Sequence, residues 1–311
     1  MQDPDKTLPG ADARLRDTGA RSALAALADL NPEWRPWLRL LEAADDALDD
    51  PVWAAAAPEA PVPGRPPDAP LLHEATLPVA ARAARRWVRR LMREAGLRAA
   101  PDAVSPAPPR SRSLDAGALL EAAVAQDAAR IEVLAAAAGV EPPALAAVAQ
   151  LAVRPLLQAS GRRLVGRVPA DWAHGYCPVC GAWPALAETR GIERARRLRC
   201  ARCGGDWAFP VLRCPFCGER DHRKQGALVP DGEEDIRKID ICKSCRGYVK
   251  TVTTLLPIAA ASVVVEDLAM VELDIAALQR GYARPERPGY AVVVHTGDVA
   301  RRSWVRQGEV S

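Results

Sequence analysis

Eight cysteines, all between Cys177 and Cys245, are the residues of this 311-residue chain whose type and spacing point to chemistry. They form four C-x2-C pairs, Cys177/Cys180, Cys200/Cys203, Cys214/Cys217 and Cys242/Cys245, in the contexts CPVCG, CARCG, CPFCG and CKSCRG. A metal held by four thiolates needs two tight turns, each presenting two sulfurs on one side, and a C-x2-C pair supplies such a turn. The glycines just after three of the pairs, Gly181, Gly204 and Gly218, permit the positive φ that closes it. Two knuckles make one tetrahedral site, so four make two. Gaps of 19, 10 and 24 residues separate consecutive pairs. The outer gaps suit β-hairpins and the middle one a connecting strand. This points to sequential pairing, with Cys177, Cys180, Cys200 and Cys203 around one metal ion and Cys214, Cys217, Cys242 and Cys245 around another. Spacing alone leaves interleaved pairings open.

Other cysteine chemistry fits less well. Disulfides need an oxidising compartment, and Met1-Gln-Asp-Pro-Asp-Lys lacks the basic-then-apolar layout of a secretion signal. No window approaches the ~20 apolar residues of a membrane span, so a cytoplasmic protein without membrane insertion is expected. A thioredoxin-type site needs one C-x2-C opening a helix, not four in mostly glycine-flanked turns. A structural metal that staples a segment with too little apolar core is compatible with the spacing. Zinc and iron both accept four sulfurs. CPVCG and CPFCG resemble rubredoxin knuckles, in which backbone N–H groups bond the sulfurs, and zinc ribbons use the same turns. His174 and His222 lie near the knuckles and are read as outer neighbours, since eight thiolates already suffice. No Ser/His/Asp arrangement, paired carboxylates or phosphate-binding glycine loop stands out, so no enzyme is expected.

Charge bears on the partner. Residues 176–250 hold fifteen Lys/Arg against ten Asp/Glu, but eight thiolates and two divalent metals bring the loaded segment to about +1. A nearly neutral module makes few phosphate contacts, so nucleic acid is not the expected partner. The run Arg194, Arg196, Arg197 and Arg199 reads as a solvated strand or as a face for an acidic protein.

The elements that must position the cysteines are legible in composition. Apolar residues make up 49% of the chain and aromatics only 5%, and alanine dominates; alanine-rich cores are usually packed helices. The sequence predicts an α+β protein: an N-terminal α-helical bundle over 1–170, a four-cysteine ribbon over 171–211, a second over 212–262, and a helix with a C-terminal tail packing on the ribbons over 263–311. Proline-rich stretches 51–70 and 101–113 are expected to be loops. Asn31-Pro32 reads as a helix cap with Pro at the first helical position. Residues 77–97 form an amphipathic helix, with Trp87, Val88 and Leu91 opposite arginines that read as its wet side. A single long helix is expected from Ser113 to Ala138, stopped by Gly139. Another starts at Pro142 or Pro143 and runs to about Ser160. Short strands are expected near 183–189, 197–200, 206–213, 227–229, 236–241 and 248–254. A helix from Val265 to Arg280 ends at Gly281, and Ala291–Val294 reads as a strand.

The ordered series CPVCG, LRCARCGGDWAFPVLRCPFCG, KIDICKSCRGYVKTV and VEDLAMVELDIAALQRGYARP resembles the formate dehydrogenase accessory (formation) protein family, continuously from about Asp171 to Pro285. Most telling are Asp206-Trp207 between Cys203 and Cys214, the CxxCxGY end at Cys242–Tyr248, and the DLA…LD segment at Asp267–Asp274. The resemblance implies a cytoplasmic, non-enzymatic maturation factor. It would carry two rubredoxin-like, zinc-ribbon-type modules, with a cleft between helices and ribbons. Its expected partner is the catalytic subunit of formate dehydrogenase, and a homodimer stays open. It also implies two metal ions in four-cysteine sites on the eight cysteines, iron favoured and zinc the alternative. The face around Asp206-Trp207 and Tyr248 is the candidate partner surface. The competing functions are a nucleic-acid-binding zinc-ribbon protein and a rubredoxin-like electron carrier.

Overall fold

The computed structural model describes residues 21–97, 114–229 and 236–296. The proline-rich segment 101–113 and the tail after residue 296 lie outside the described residues. Helix α1 runs through 21–30, and a short 3-10 turn, Pro32–Trp34, leads into α2 (Arg35–Asp46). Pro32 takes the expected first position, but the Asn31 amide donates to the Leu27 carbonyl at 3.2 Å, so it closes α1 rather than capping the 3-10 turn.

The stretch 51–70 is not all loop. Its first residues form α3 (Pro51–Ala56), because the Asp50 carboxylate accepts from the Val52 N–H and Pro51 opens the helix. Strand β1 (Ala75–Leu77) precedes α4 (Ala81–Glu94). In α4, Trp87, Val88 and Leu91 are buried and the arginines are exposed, as the periodicity predicts. The Trp87 indole donates to the Ala152 carbonyl at 2.9 Å.

The expected helix from Ser113 to Ala138 is two helices, α5 (Ala116–Ala125) and α6 (Ala128–Ala138). Gln126 sits in the left-handed region at φ 58° and ends α5, and the Asp127 side chain accepts from the Arg130 N–H to start α6. Alanine propensity hid a stop and a start side by side. Helix α7 (Pro142–Leu164) passes through Pro155 and is the hub of the body, packing against α2, α3, α4, α5 and α6.

The cysteine part forms one six-stranded sheet: β2 (Leu186–Arg190), β3 (Ala195–Arg199), β4 (Asp206–Ala208), β5 (Gln225–Leu228), β6 (Arg237–Cys242) and β7 (Tyr248–Thr254), in the order β4-β3-β2-β7-β6-β5. Each ribbon is antiparallel inside, and the two join through a parallel pairing of β2 with β7, Leu186 opposite Lys250 to Arg190 opposite Thr254. The helix expected over 265–280 is also two, α8 (Val263–Leu268) and α9 (Val271–Gln279), which break at Ala269-Met270.

The C-terminal segment does not stay on the ribbons. Strand β8 (Val294–Thr296), three residues later than the predicted strand, pairs in parallel with β1 and packs on α5. There the Thr296 N–H and hydroxyl both donate to the Glu121 carboxylate.

Helices and first ribbon share one core, which runs from Leu119, Leu120, Val153 and Leu156 to Cys177, Cys200, Leu198 and Trp207. They meet in a packed interface rather than across the expected cleft. Arg154 of α7, 4% exposed, donates to Asp45 Oδ1 at 2.7 Å, the Ala201 carbonyl at 2.8 Å and the Ala261 carbonyl at 2.7 Å. In the opposite direction, Arg202 of the second knuckle donates to the Ala123 and Val124 carbonyls at the end of α5. A Cβ at Gly161 would overlap the Cys203 carbonyl, so α7 touches the first site directly.

Candidate metal centres

The four knuckles repeat one backbone pattern. The N–H of the first cysteine donates to the carbonyl five residues on, in Cys177 to Ala182, Cys200 to Gly205, Cys214 to Glu219 and Cys242 to Gly247, at 2.8–2.9 Å. Gly181, Gly204 and Gly218 close their turns at φ 74–77°, as their position predicts. In the fourth knuckle the equivalent place is Arg246, a non-glycine at φ 59°.

These turns bring the sulfurs together in two groups, Cys177, Cys180, Cys200 and Cys203, and Cys214, Cys217, Cys242 and Cys245, each with all four Sγ atoms within 4.8 Å of one another. The grouping is sequential, and the interleaved pairings left open by spacing do not occur. Across the first group, Cys177 and Cys203 Sγ lie 3.4 Å apart and Cys180 and Cys200 3.6 Å. In the second, Cys214–Cys245 and Cys217–Cys242 are each 3.7 Å apart. A metal about 2.3 Å from each of four tetrahedral sulfurs sets them roughly 3.8 Å apart, so both groups could hold an ion.

The two sites differ in their surroundings. All four cysteines of the first are buried, and a Cβ on Gly205 would come within 2.8 Å of Cys177 Sγ. The second has Cys214 and Cys242 buried and Cys217 and Cys245 exposed. Burial pushes the Cys177 thiol well above its ordinary pKa, and hydrogen bonds with Cys177 hold Cys200 well below. In the second site burial raises Cys214, and raises Cys245 to about 11.

No family model matches the chain. Over 119 residues it is 34% identical to the Protein FdhE homolog of Aquifex aeolicus (strain VF5), a match covering 37% of this chain and 41% of that protein. Over 111 residues it is 31% identical to the Protein FdhE of Escherichia coli O127:H6, covering 35% of each. The match thus spans about two-fifths or less of the length of these relatives. The crystal structure of the FdhE protein from Pseudomonas aeruginosa superposes with a TM-score of 0.52 over 89% of this chain and 96% of that one, at 23% identity, and so shares the fold. Over the 119- and 111-residue matches, the chain is similar to proteins named FdhE.

Two of the segments that carried the resemblance, Cys242–Tyr248 and Asp267–Asp274, form supports of the second site. Tyr248 donates to Asp274 Oδ1 at 2.6 Å. Lys250, with no exposed side-chain surface, pairs with Asp267 Oδ1 at 2.8 Å and Asp274 Oδ2 at 2.7 Å, and Arg284 pairs with the same two aspartates. This network ties β7 to α8 and α9, and neither Lys250 nor Arg284 stands out in the sequence. Arg246 adds a second tie: its guanidinium donates to the Gly281 and Arg280 carbonyls and lies 3.9 Å from the Tyr282 ring centroid. Glu219 bridges the two knuckles of the second site. Its carboxylate accepts from Asp221 N–H, from Ser244 Oγ at 2.7 Å and from Lys224, which together hold it down at about 2. The only signal in sequence is the CGE and CKSC contexts, in which cysteine spacing gives Glu219 and Ser244 no part.

Several expected surface residues are interior. Trp207 is buried and its indole donates to the His174 carbonyl, and Tyr248 is buried too, so neither ring is on the surface, while Asp206, next to Trp207, is half-buried. Beyond Arg194, which is exposed in the turn before β3, the arginine run is not a solvated strand. Arg199 is buried against Glu188 and the Ile258 carbonyl, Arg197 pairs with Asp206 at 2.6 Å, and Arg196, also buried, donates to three carbonyls of the 210–213 linker and to Asp240. Neither His174, which stacks on Tyr176, nor the exposed His222 joins a sulfur group.

Proposed function

We propose that this chain is an accessory factor in the formation of active formate dehydrogenase, acting in the cytoplasm without catalysing a reaction itself. In this reading it binds the catalytic subunit of that enzyme, and its eight cysteines hold two metal ions. The observation that supports it is the pair of four-sulfur groups set in a fold and a motif series shared with proteins named FdhE. Iron in such a site would supply a one-electron change, and zinc would supply only a staple. Around either, the chain's own residues keep the sulfurs in place through the knuckle N–H bonds, Glu219 and the Lys250 network.

Deleting the gene tests the reading. Formate oxidation should be lost while unrelated oxidoreductases keep normal activity; unchanged formate oxidation would sink it. A second reading, a rubredoxin-like electron carrier, is favoured by the exposure of Cys217 and Cys245 at the second site. Protein purified without oxygen separates the two, because a carrier requires a ferric-thiolate colour that bleaches on reduction. Stoichiometric colourless zinc excludes it. The buried Arg196 and Arg199 and the paired Arg197 offer nothing to a nucleic-acid reading of the ribbons.

A further inference from the structure

Helix α4 turns six arginines to solvent, Arg82, Arg85, Arg86, Arg89, Arg90 and Arg93. They line an open groove of about 590 Å3. Arg90 pairs with Glu94 at 2.8 Å and lies over the Trp87 ring. Among the described residues none of the other five meets a carboxylate within ion-pair distance. Some exposed arginines elsewhere do, as in Arg21–Asp46, Arg35–Asp29, Arg130–Glu121 and Arg223–Asp221, while others such as Arg39 and Arg167 do not, but those stand singly and not six on one helix face. The sequence places Arg at 82/86, 85/89, 86/90 and 89/93, four like-charged pairs one turn apart. Each such pair opposes the helix that carries it, and an ordinary wet face relieves the repulsion with interspersed Glu. Here the repulsion is left in place over roughly 17 Å of helix.

We propose that this arginine face of α4 is a docking surface for an acidic polypeptide segment of a partner protein. The guanidinium fork pairs with carboxylates two bonds at a time. A Glu-bearing helix repeats its charges at the same one-turn interval as the arginines. Two features favour a short acidic segment over nucleic acid. The only aromatic ring within α4, Trp87, is buried beneath the arginines, so the groove offers no stacking platform for bases. The formal charge of the whole chain is only +3, and eight thiolates with two divalent ions would bring it near −1, so a long polyanion meets no net attraction. A short segment meets the patch alone. Nothing apolar flanks the six arginines in the groove lining to enter a bilayer. That the partner is the catalytic subunit rests on the accessory-factor reading, whereas the acidic character of its segment does not.

The test uses the full metal-loaded chain and a labelled synthetic helical peptide of roughly 15 residues with Glu at three- and four-residue spacing. Fluorescence anisotropy should show binding that weakens at least tenfold from low salt to about 0.3 M. The triple variant R85E/R86E/R89E should bind at least tenfold more weakly, with unchanged metal content and a melting temperature equal to or above that of the parent, because it relieves the repulsion. No binding, equal binding by the variant, or tighter binding of duplex RNA or of phosphatidylserine vesicles would overturn the proposal. Capture of the formate dehydrogenase catalytic subunit gives a separate arm. If the parent captures it and the triple variant captures it equally, α4 is not the docking surface and the accessory-factor reading stands. If neither captures it, that reading fails and the peptide result alone decides the α4 face.

Discussion

Cys177 is enclosed where no water reaches its sulfur, and burial pushes its thiol well above the ordinary value. Hydrogen bonds with the neighbouring thiols, Cys177 first, push Cys203 up as well, while Cys200 is held well down by the same neighbours. The second group repeats this: burial raises Cys214 and Cys245, the latter to about 11, and Cys242, despite its burial, is held down by the N–H groups of Cys245 and Ser244. Each cluster therefore has two thiols raised and one lowered. Above about pH 8.5, the ordinary thiol value, the unfolded chain releases more protons than the metal-free fold, so the metal-free protein loses stability as pH rises. Metal binding needs thiolates and removes this loss. Melting temperatures from pH 7.5 to 10.5 should fall for metal-free protein and stay nearly level for loaded protein; a flat metal-free profile would contradict the thiol assignments. At this scale the cysteines, their grouping and three of the four closing residues were legible, because a knuckle is a local motif. The arginine run misled because the burial of Arg199 is decided by Glu188 and Ile258, which lie 11 and 59 residues away in sequence.

Among the elements, α7 decides how the sulfur sites sit on the body, through Arg154. Its guanidinium joins α2 at Asp45, the second knuckle at Ala201 and the entrance of α8 at Ala261. Replacing Arg154 with Met keeps much of the buried volume but leaves two interior carbonyls without their donor and Asp45 without this cation. Removing one member of a buried charge pair costs about 3–5 kcal/mol. Arg154→Met should lower the urea midpoint accordingly and raise amide exchange first in the 200–204 knuckle and the 260–262 turn. Unchanged exchange there would mean that Leu156, Leu157 and their neighbours hold the interface without it. Arg154 reads in sequence as one more arginine on a helix, and nothing local marks it as interior. The same limit explains the missed breaks. Gln126 in a left-handed conformation and the Asp127 cap interrupt a run of alanines whose propensity favours continuity. Strand β8 was expected close to its place, but its partner β1 lies about 220 residues upstream, beyond any periodicity.

For the molecule as a whole, the two sulfur groups are unequal members of one sheet. The first is built into the main core, between α7, the Gly205 backbone and the Trp207 side chain. The second lies beside a small cluster of Ile239, Ile241, Tyr248, Ala277 and Tyr282, touches the main core through the half-buried Phe216, and has two of its four cysteines exposed. A chelator must approach a bound ion to take it, and it can approach only where ligands are exposed. EDTA or a chromogenic chelator should therefore withdraw metal in two phases, the first releasing one equivalent while the fold stays intact, the second coinciding with unfolding. Cys217→Ser should abolish the fast phase, leave about one ion per chain, and cost little in melting temperature. Cys177→Ser should remove a ligand from a sealed site and leave a hydroxyl among apolar neighbours, a loss of more than about 4 kcal/mol. One phase releasing both ions, or equal destabilisation by the two substitutions, would show that the parallel pairing of β2 with β7 couples the sites into one cooperative unit. Two phases would mean that the second site alone can exchange its ion, or an electron, with a partner while the helical body and the first ribbon hold the fold.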